Sequence, residues 1–238
     1  MIFAAGMGTR LQPLTLTKPK ALVEVGGVPM LEIIIRRLIK YGFDDIIINV
    51  HHFADQIVSF LETNKNFGVS ITISDETSLL LDTGGGLLKA RDFFNDGKPF
   101  LVHNVDIMTD FSLVDLYAFH LEHKPLATLA VKERNTSRSL LINSECVLSG
   151  WRNNQTAKTI ISKGNENELT PIAFSGVHVL SPEIFPLITE TGVFSITNTY
   201  LRLAEKNTIM TWNHNQNFWF DMGRVENLIE AEKYLSLM

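Results

Sequence analysis

Apolar positions along this chain alternate between two periods. Short continuous apolar runs at residues 2–5, 46–50 and 100–102 predict strands covered on both faces. Residues 69–74 alternate and predict a further strand, and residues 21–25 a short one stopped by Gly26-Gly27. Between the runs the spacing changes. Leu31, Ile34, Ile35, Leu38 and Ile39 lie on one helical face, with Glu32, Arg36, Arg37 and Lys40 opposite; Pro29 suits the helix start and Gly42 its stop. Phe53, Ile57, Val58 and Leu61 mark a second helix, and residues 87–94 a third, introduced by Gly84-Gly85-Gly86. The order to Asp106 is β-α-β-α-β-α-β, which predicts an α/β fold with a parallel sheet and helices on both faces. Ligands in such folds bind beyond the carboxyl ends of the strands, where Gly6, Asn49 and Asp106 fall.

The second half is less regular. It predicts a helix at 113–123, a strand at 126–131 and a hairpin over 138–148 around Asn143-Ser144-Glu145. Residues 152–168 are polar and read as loop and weak strand. A clear strand at 172–180 leads to Ser181-Pro182-Glu183, a helix-start signature. Helices at 194–206 and 224–237 frame short strands at 209–212 and 218–220; the last helix carries Leu228, Ala231 and Leu235 on one face. No repeat or linker interrupts the chain. A single domain over residues 1–238 is expected, its halves meeting near residues 110 and 111.

Composition narrows the class. With 238 residues, 45% hydrophobic and 20% charged, the chain can bury a large core without metal or disulfide staples. A single cysteine, Cys146, excludes an intramolecular disulfide framework and fits a reducing compartment. No apolar run approaches the roughly 18 residues of a membrane helix, and the N-terminal run is too short for a signal peptide. A cytoplasmic location and no membrane partner are expected. The net charge of −5 argues against a nucleic-acid partner. A polyanionic small molecule would need a local cationic cluster, with a divalent metal, against that field.

The first twenty residues supply the cluster. A buried strand runs into Gly6-Met7-Gly8-Thr9-Arg10, with Lys18 and Lys20 close behind. Glycines allow positive φ and close approach, and loop N–H groups can point at an anion. Asp106 and Asp221 each follow an apolar strand. Side by side they could share a hard cation such as Mg²⁺, although spacing alone favours the commoner role of Asp as turn residue or cap. Residues 82–86, Asp-Thr-Gly-Gly-Gly, read as a second glycine loop that could hold an anion or let a flat base approach. His51-His52 read as loop residues, since neighbours seldom point at one ion. A P-loop motif is absent. Leu11 replaces the third glycine of a dinucleotide fingerprint, and Asn49 its ribose-binding acid, which disfavours a dehydrogenase.

Taken together, residues 4–15 with Pro19-Lys20 resemble the signature of the sugar-1-phosphate nucleotidyltransferases. Gly27-x-Pro29, Asp82 to Gly86, Asn104-x-Asp106, Phe174-Ser175-Gly176-Val177 and Trp219-x-Asp221-x-Gly223 extend the likeness over nearly the whole chain. Within the family the pattern looks most like the N-acetylmuramate-1-phosphate uridylyltransferases, then the mannose-1-phosphate guanylyltransferase-like proteins. The resemblance implies a Rossmann-like, mixed, mostly parallel sheet (the nucleotide-diphospho-sugar transferase fold), with a nucleotide-binding half to about residue 110 and a sugar-phosphate acceptor half from about 111. It implies Mg²⁺-dependent conversion of an NTP, UTP favoured, and a sugar 1-phosphate to an NDP-sugar and pyrophosphate, for cell-wall or surface polysaccharide precursors. The alternatives are GTP with mannose 1-phosphate and CTP with phosphocholine; a catalytically weak nucleotide-sugar-binding regulatory module is a different class of reading. A monomer or weak homodimer is expected.

By the same resemblance, Ala5, Gly6, Gly8 and Thr9 hold the nucleotide, with Asn104 nearby, and Thr83, Gly84 and Gly85 line the base. Arg10 serves the leaving pyrophosphate and Lys20 the reacting phosphate. Asp106 and Asp221 hold Mg²⁺, and Asp82 and Gly176 lie near the sugar. Lys18 has no matched role and reads as a solvated charge. Val105 stands where the family often has Gly, and His103 where an apolar residue is commoner.

Overall fold

The computed structural model describes residues 1–235. In chain order its elements are β1 (Ile2–Phe3), β2 (Glu24–Val25), β3 (Val28–Pro29), α1 (Met30–Lys40), β4 (Asp45–Val50), α2 (Ala54–Thr63), β5 (Ser70–Asp75), α3 (Asp82–Lys89), β6 (Phe100–Asn104), β7 (Ile107–Thr109), α4 (Leu113–His123), β8 (Ala127–Lys132), β9 (Arg138–Ile142), β10 (Leu148–Asn153), β11 (Thr159–Ile161), β12 (Thr170–Leu180), α5 (Ile196–Ala204), β13 (Ile209–Asn213), β14 (Trp219–Asp221) and α6 (Val225–Leu235). They group into two compact units. The first takes Met1–Leu80, His103–Asp110 and the chain from Phe218; the second takes Leu81–Val102 and Phe111–Asn217. Leu81–Val102 thus groups with the second unit, and the chain from Phe218 returns to the first, where β14 pairs with β7.

In the first unit β1 lies between β4 and the end of β6, parallel to both: Phe3 is in register with Asn49 on one side and Asn104 on the other. Parallel β5 extends β4. Ile2, Ile46 and Ile48 are fully buried, and α1 turns Leu31, Ile34 and Ile35 inward, also fully buried. Each such side chain contributes roughly 1.5–3 kcal/mol. This is the parallel arrangement that the apolar runs predict. Because β1, β4 and β6 run the same way, Ala4, Asn49 and Asn104 come to one edge.

In the second unit β12 is antiparallel to β8 and to β9, β9 to β10 and β10 to β11, while β13 joins β8 in parallel. The hairpin expected over 138–148 is β9–β10, with Asn143 Oδ1 accepting from Glu145 N–H and Val147 N–H. α5 is shorter than the expected 194–206 and starts after its N-cap Ser195, whose hydroxyl accepts from Thr197 N–H.

Three local expectations change, and one strand is new. Residues 20–22 form a 3₁₀ turn and only Glu24–Val25 is strand; Pro19, at φ −66°, leads into the turn, and Val23 N–H closes it on Lys20 O. The glycines at 84–86 are inside α3, not in a loop before it, for packing reasons given below. Ser181 does not cap: its hydroxyl donates to Pro125 O, and a 3₁₀ segment, Pro182–Leu187, follows. The three-residue β7 has no pattern of its own and exists through antiparallel pairing with β14, Ile107 opposite Asp221. Of the helix expected at 224–237, Val225–Leu235 is seen, and positions 236 and 237 lie outside the described residues.

Candidate active site

The first unit builds a site from its loop outward. After β1 the chain turns through Gly8, at φ 65° and ψ 25°, a left-handed conformation that favours glycine. Space demands glycine as well. A Cβ there would lie 2.8 Å from Thr15 Cγ2 and 2.9 Å from Lys20 Cβ. Leu11 N–H and Thr15 Oγ1 both donate to Gly8 O, at 2.9 and 2.8 Å, so the loop is closed over the residues that follow it. Gly6 and Thr9 are exposed and Gly8 partly so, whereas Ala5 is buried.

Two ion pairs anchor the cations. Lys20 Nζ is paired with Asp106 Oδ2, both side chains being largely buried. Arg10 Nη1 lies 3.2 Å from Asp221 Oδ2. Lys18, by contrast, reaches only the exposed Glu24, at 3.7 Å, in keeping with a surface charge.

The carboxylates arrive from β6–β7 and β14 and are held by backbone. Met222 N–H donates to Asp106 O at 2.8 Å. Gly223 N–H donates to Asp221 Oδ1 at 3.0 Å, and Asn227 Nδ2 to Asp221 O at 2.7 Å. A Cβ on Gly223 would sit 2.8 Å from Asp106 Oδ2, 2.8 Å from Asp221 Oδ1 and 2.9 Å from Arg10 Nη2. One small space, open only because residue 223 has no side chain, is therefore faced by two carboxylates. Such a donor set fits a hard cation that takes one or two protein carboxylates with the rest of its shell from water and phosphate oxygens. Among the described residues no group of three or more His, Cys, Asp or Glu gathers as a metal site; a cation held by this pair would take the rest of its shell from water or phosphate oxygens.

Asn104 closes β6 beside Phe3. Val105 is buried at 3% exposure and its N–H donates to Phe3 O at 3.1 Å. It is absent from the positive-φ residues, so the backbone there does not call for the family's glycine. His103 is buried too, its Nδ1 2.8 Å from Asn104 O.

The remaining candidates belong to the second unit. Thr83 Oγ1 accepts from Ile196 N–H at 3.0 Å, and the N–H groups of Gly84 and Gly85 both donate to Phe194 O, at 2.9 and 3.3 Å. A Cβ on Gly84 would strike the Phe194 ring, and one on Gly85 the Gly192 carbonyl. These glycines let α3 pack closely on the segment leading into α5. Residues 82–86 are thus not an open loop: the Gly84 and Gly85 N–H groups are spent within the unit, which leaves the Thr83 O–H as the donor that could meet a ligand. Asp82 is exposed and left-handed, at φ 58°, its Oδ1 accepting from Thr83 N–H. Gly176 is buried at φ 76°, where the β12–β8 register shifts.

The sequence reading assigns Asn49 no role at the site and does not single out Glu76. Both are buried, and Asn49 Oδ1 accepts from Ala4 N–H. The available signal was an amide inside the apolar run 46–50, since a buried polar group requires partners. His51 is a loop residue, its Nδ1 2.7 Å from Glu76 O, and Cys146 is a free, exposed thiol.

Comparison with known proteins gives the family and the fold. The nucleotidyl transferase family model matches residues 1–236. A mannose-1-phosphate guanylyltransferase catalytic subunit beta of Dictyostelium discoideum is 31% identical over 97% of this chain and 62% of its own length. An N-acetylmuramate alpha-1-phosphate uridylyltransferase of Caulobacter vibrioides is 29% identical over 99% of this chain and 96% of its own. The chain therefore spans under two thirds of the first relative and nearly all of the second. Among solved structures, HddC from Yersinia pseudotuberculosis, complexed with GMP-PN, superposes with a TM-score of 0.77 at 22% identity, covering 98% of this chain and 97% of that one. That likeness concerns the fold, a mixed sheet with helices, as the sequence pattern implies.

Proposed function

This chain belongs to the nucleotidyl transferase family, and from that premise we propose that it is a sugar-1-phosphate nucleotidyltransferase. A phosphate oxygen of the sugar 1-phosphate attacks the α-phosphorus of an NTP. The bond from that phosphorus to the bridging oxygen breaks, and pyrophosphate leaves with the electron pair. UTP is the favoured nucleotidyl donor, by the Caulobacter relative's near-full-length match. GTP with mannose 1-phosphate is the second reading, favoured by the Dictyostelium relative.

The observation that carries the proposal is the convergence of Lys20–Asp106 and Arg10–Asp221 on the space beside Gly223. Each cation is held by a carboxylate and can be handed to an incoming phosphate without first being gathered from solvent. Such chemistry runs on positioning and electrostatics, with no covalent intermediate on the protein. Backbone groups of residues 5–9 would hold the nucleoside and its phosphates, beside Asn104. Arg10 would stabilise the charge on the departing pyrophosphate, and Lys20 the phosphoryl oxygens of the reacting phosphate. Asp106 and Asp221 would hold Mg²⁺, which supplies charge neutralisation to the polyphosphate when bound. Thr83 would serve the base through its hydroxyl, with Gly84 and Gly85 as packing surface behind it. Asp82 and the Gly176 backbone would serve the sugar.

We further read residues 1–238 as one transferase domain with a nucleotide half and an acceptor half, working in the cytoplasm as a monomer or weak homodimer. Among the described residues no helix is long and apolar enough to cross a membrane.

The test is pyrophosphate release with Mg²⁺ across UTP, GTP, CTP and dTTP, each with N-acetylmuramate, mannose and glucose 1-phosphates and phosphocholine. Release with at least one pair is expected. Nucleotide binding without turnover on any pair would replace the enzyme by the regulatory module.

A further inference from the structure

β1 ends at Phe3, and Ala4 and Ala5 carry the chain to the glycine loop. Their N–H groups go to a side chain of neighbouring β4. Both point at one side chain: Asn49 Oδ1 accepts from Ala4 N–H at 2.7 Å and from Ala5 N–H at 3.3 Å. Asn49 is 3% exposed, and its Nδ2 donates to Glu76 Oε1 at 2.8 Å. Glu76 is itself fully buried, and its N–H donates to Val50 O at 2.8 Å.

We propose that Asn49, aimed by Glu76, is a positioning residue that sets the exit of the chain from β1 into the nucleotide loop. An amide can do this because it offers both acceptor and donor on one rigid plane. Its oxygen takes the two N–H groups that the ladder leaves over. Its nitrogen is fixed by Glu76, so the oxygen cannot swing away. The assignment rests on the reading that residues 5–10 hold the nucleotide, and it adds what holds that loop in register.

A merely structural amide would stabilise the fold and leave nucleotide affinity alone. The two roles separate by exchanging the pair. Asn49→Asp keeps an acceptor for Ala4 and Ala5 but faces Glu76 with a second carboxylate. Adding Glu76→Gln returns a donor opposite Asp and restores the number of carboxylates to one. In folded protein, Asn49→Asp should raise the KM for the NTP about tenfold, the scale of one buried hydrogen bond to a charged partner. The kcat and the KM for the sugar phosphate should stay within about twofold of wild type, on the same scale. The double variant should recover most of the loss. Hydrogen exchange at Ala4 and Ala5 should quicken in the single variant and slow again in the double, a readout independent of activity. Should Asn49→Asp not fold, Glu76→Ala carries the test, with the same rise in KM for the NTP.

An unchanged KM for the NTP in a folded single variant, or no rescue by the exchange, would overturn the assignment. Wild-type protein that neither binds nor turns over any NTP would instead overturn the reading of the loop. Exchange protection at Ala4 and Ala5 that still tracks the pair would then leave Asn49 a purely structural clamp and overturn the assignment as well.

Discussion

Arg10 and Asp221 stand 211 positions apart in the sequence, yet Arg10 Nη1 lies 3.2 Å from Asp221 Oδ2. The arginine side chain is 51% exposed, and an ion pair so open to water stabilises a fold by at most about 1 kcal/mol. Its value lies elsewhere. It keeps a guanidinium, with its planar fork of donors, beside the space where phosphate oxygens would arrive. Arg10→Ala should therefore cut turnover by roughly 10²-fold or more, the scale of removing one transition-state donor, while the melting temperature changes by only a degree or two, on the scale of about 0.5 kcal/mol. Steady-state kinetics beside a thermal melt checks both. A large loss of stability would show that the pair is chiefly structural.

The carboxylates should behave alike in activity. Asp106→Asn and Asp221→Asn each remove a charge proposed to hold the metal, and each should lower turnover at least about 10²-fold. Their apparent Mg²⁺ requirement should rise as well. Near-normal rates in both variants would refute the metal assignment.

Gly223 gives a sharper version of that test. Gly223→Ala leaves both aspartates in place but puts a methyl 2.8 Å from an oxygen of each and 2.9 Å from Arg10 Nη2. The cradle is filled without any charge being removed. Turnover should fall about 10²-fold or more, and the variant should show weaker Mg²⁺-dependent thermal stabilisation than wild type. Unaltered Mg²⁺ titration would place the ion elsewhere.

In the second unit, Gly84→Ala should act on stability first. The added methyl meets the Phe194 ring and lies 2.9 Å from Phe194 O, where helix α3 packs. Overpacking of this kind costs about 1–3 kcal/mol. Urea unfolding should register that loss as a lower midpoint; an unchanged midpoint would mean that the ring moves aside freely.

Two buried imidazoles predict how stability follows pH. Burial pushes His178 from its ordinary 6.5 down to about 3 and His120 down to about 4. His178 faces Tyr200 OH at 3.0 Å, and His120 lies between Thr128 Oγ1 and Ser181 Oγ, at 2.9 and 3.0 Å. Between these values and 6.5 the unfolded chain binds protons that the folded chain refuses. Stability from the pair is thus complete above about pH 6.5 and is lost as pH falls toward 4 and then 3. Melting temperatures from pH 7 to 4 should decline accordingly, and His120→Gln should flatten the decline while lowering the value at pH 7. A parallel decline in the variant would assign the acid sensitivity to other groups.

Much of this was legible from local pattern. The runs at 46–50 and 100–102 and the stripe from Leu31 to Ile39 name their elements because burial on two faces, or on one helical face, leaves a periodic trace. The glycine-rich opening with Arg10 and Lys20 was legible for a related reason: Gly8 is needed for its left-handed turn and for its contact with Thr15, both close in sequence. Other features left no such trace. The glycines at 84–86 look like a loop until Phe194 and Gly192 are placed against them. Asn49 looks like a strand end until Ala4 and Glu76 arrive on either side of it.

The sequence by itself determined most of the strands and helices, where a backbone could cradle phosphate, and which charges were available. Those properties are local, set by residue type, spacing and allowed dihedrals. Only the tertiary structure decided that Asp106 meets Lys20, that Asp221 meets Arg10, and that Gly223 leaves the space both carboxylates face. Those partners are distant in sequence, and their meeting follows from strand order and from the pairing of β7 with β14. No local spacing encodes that.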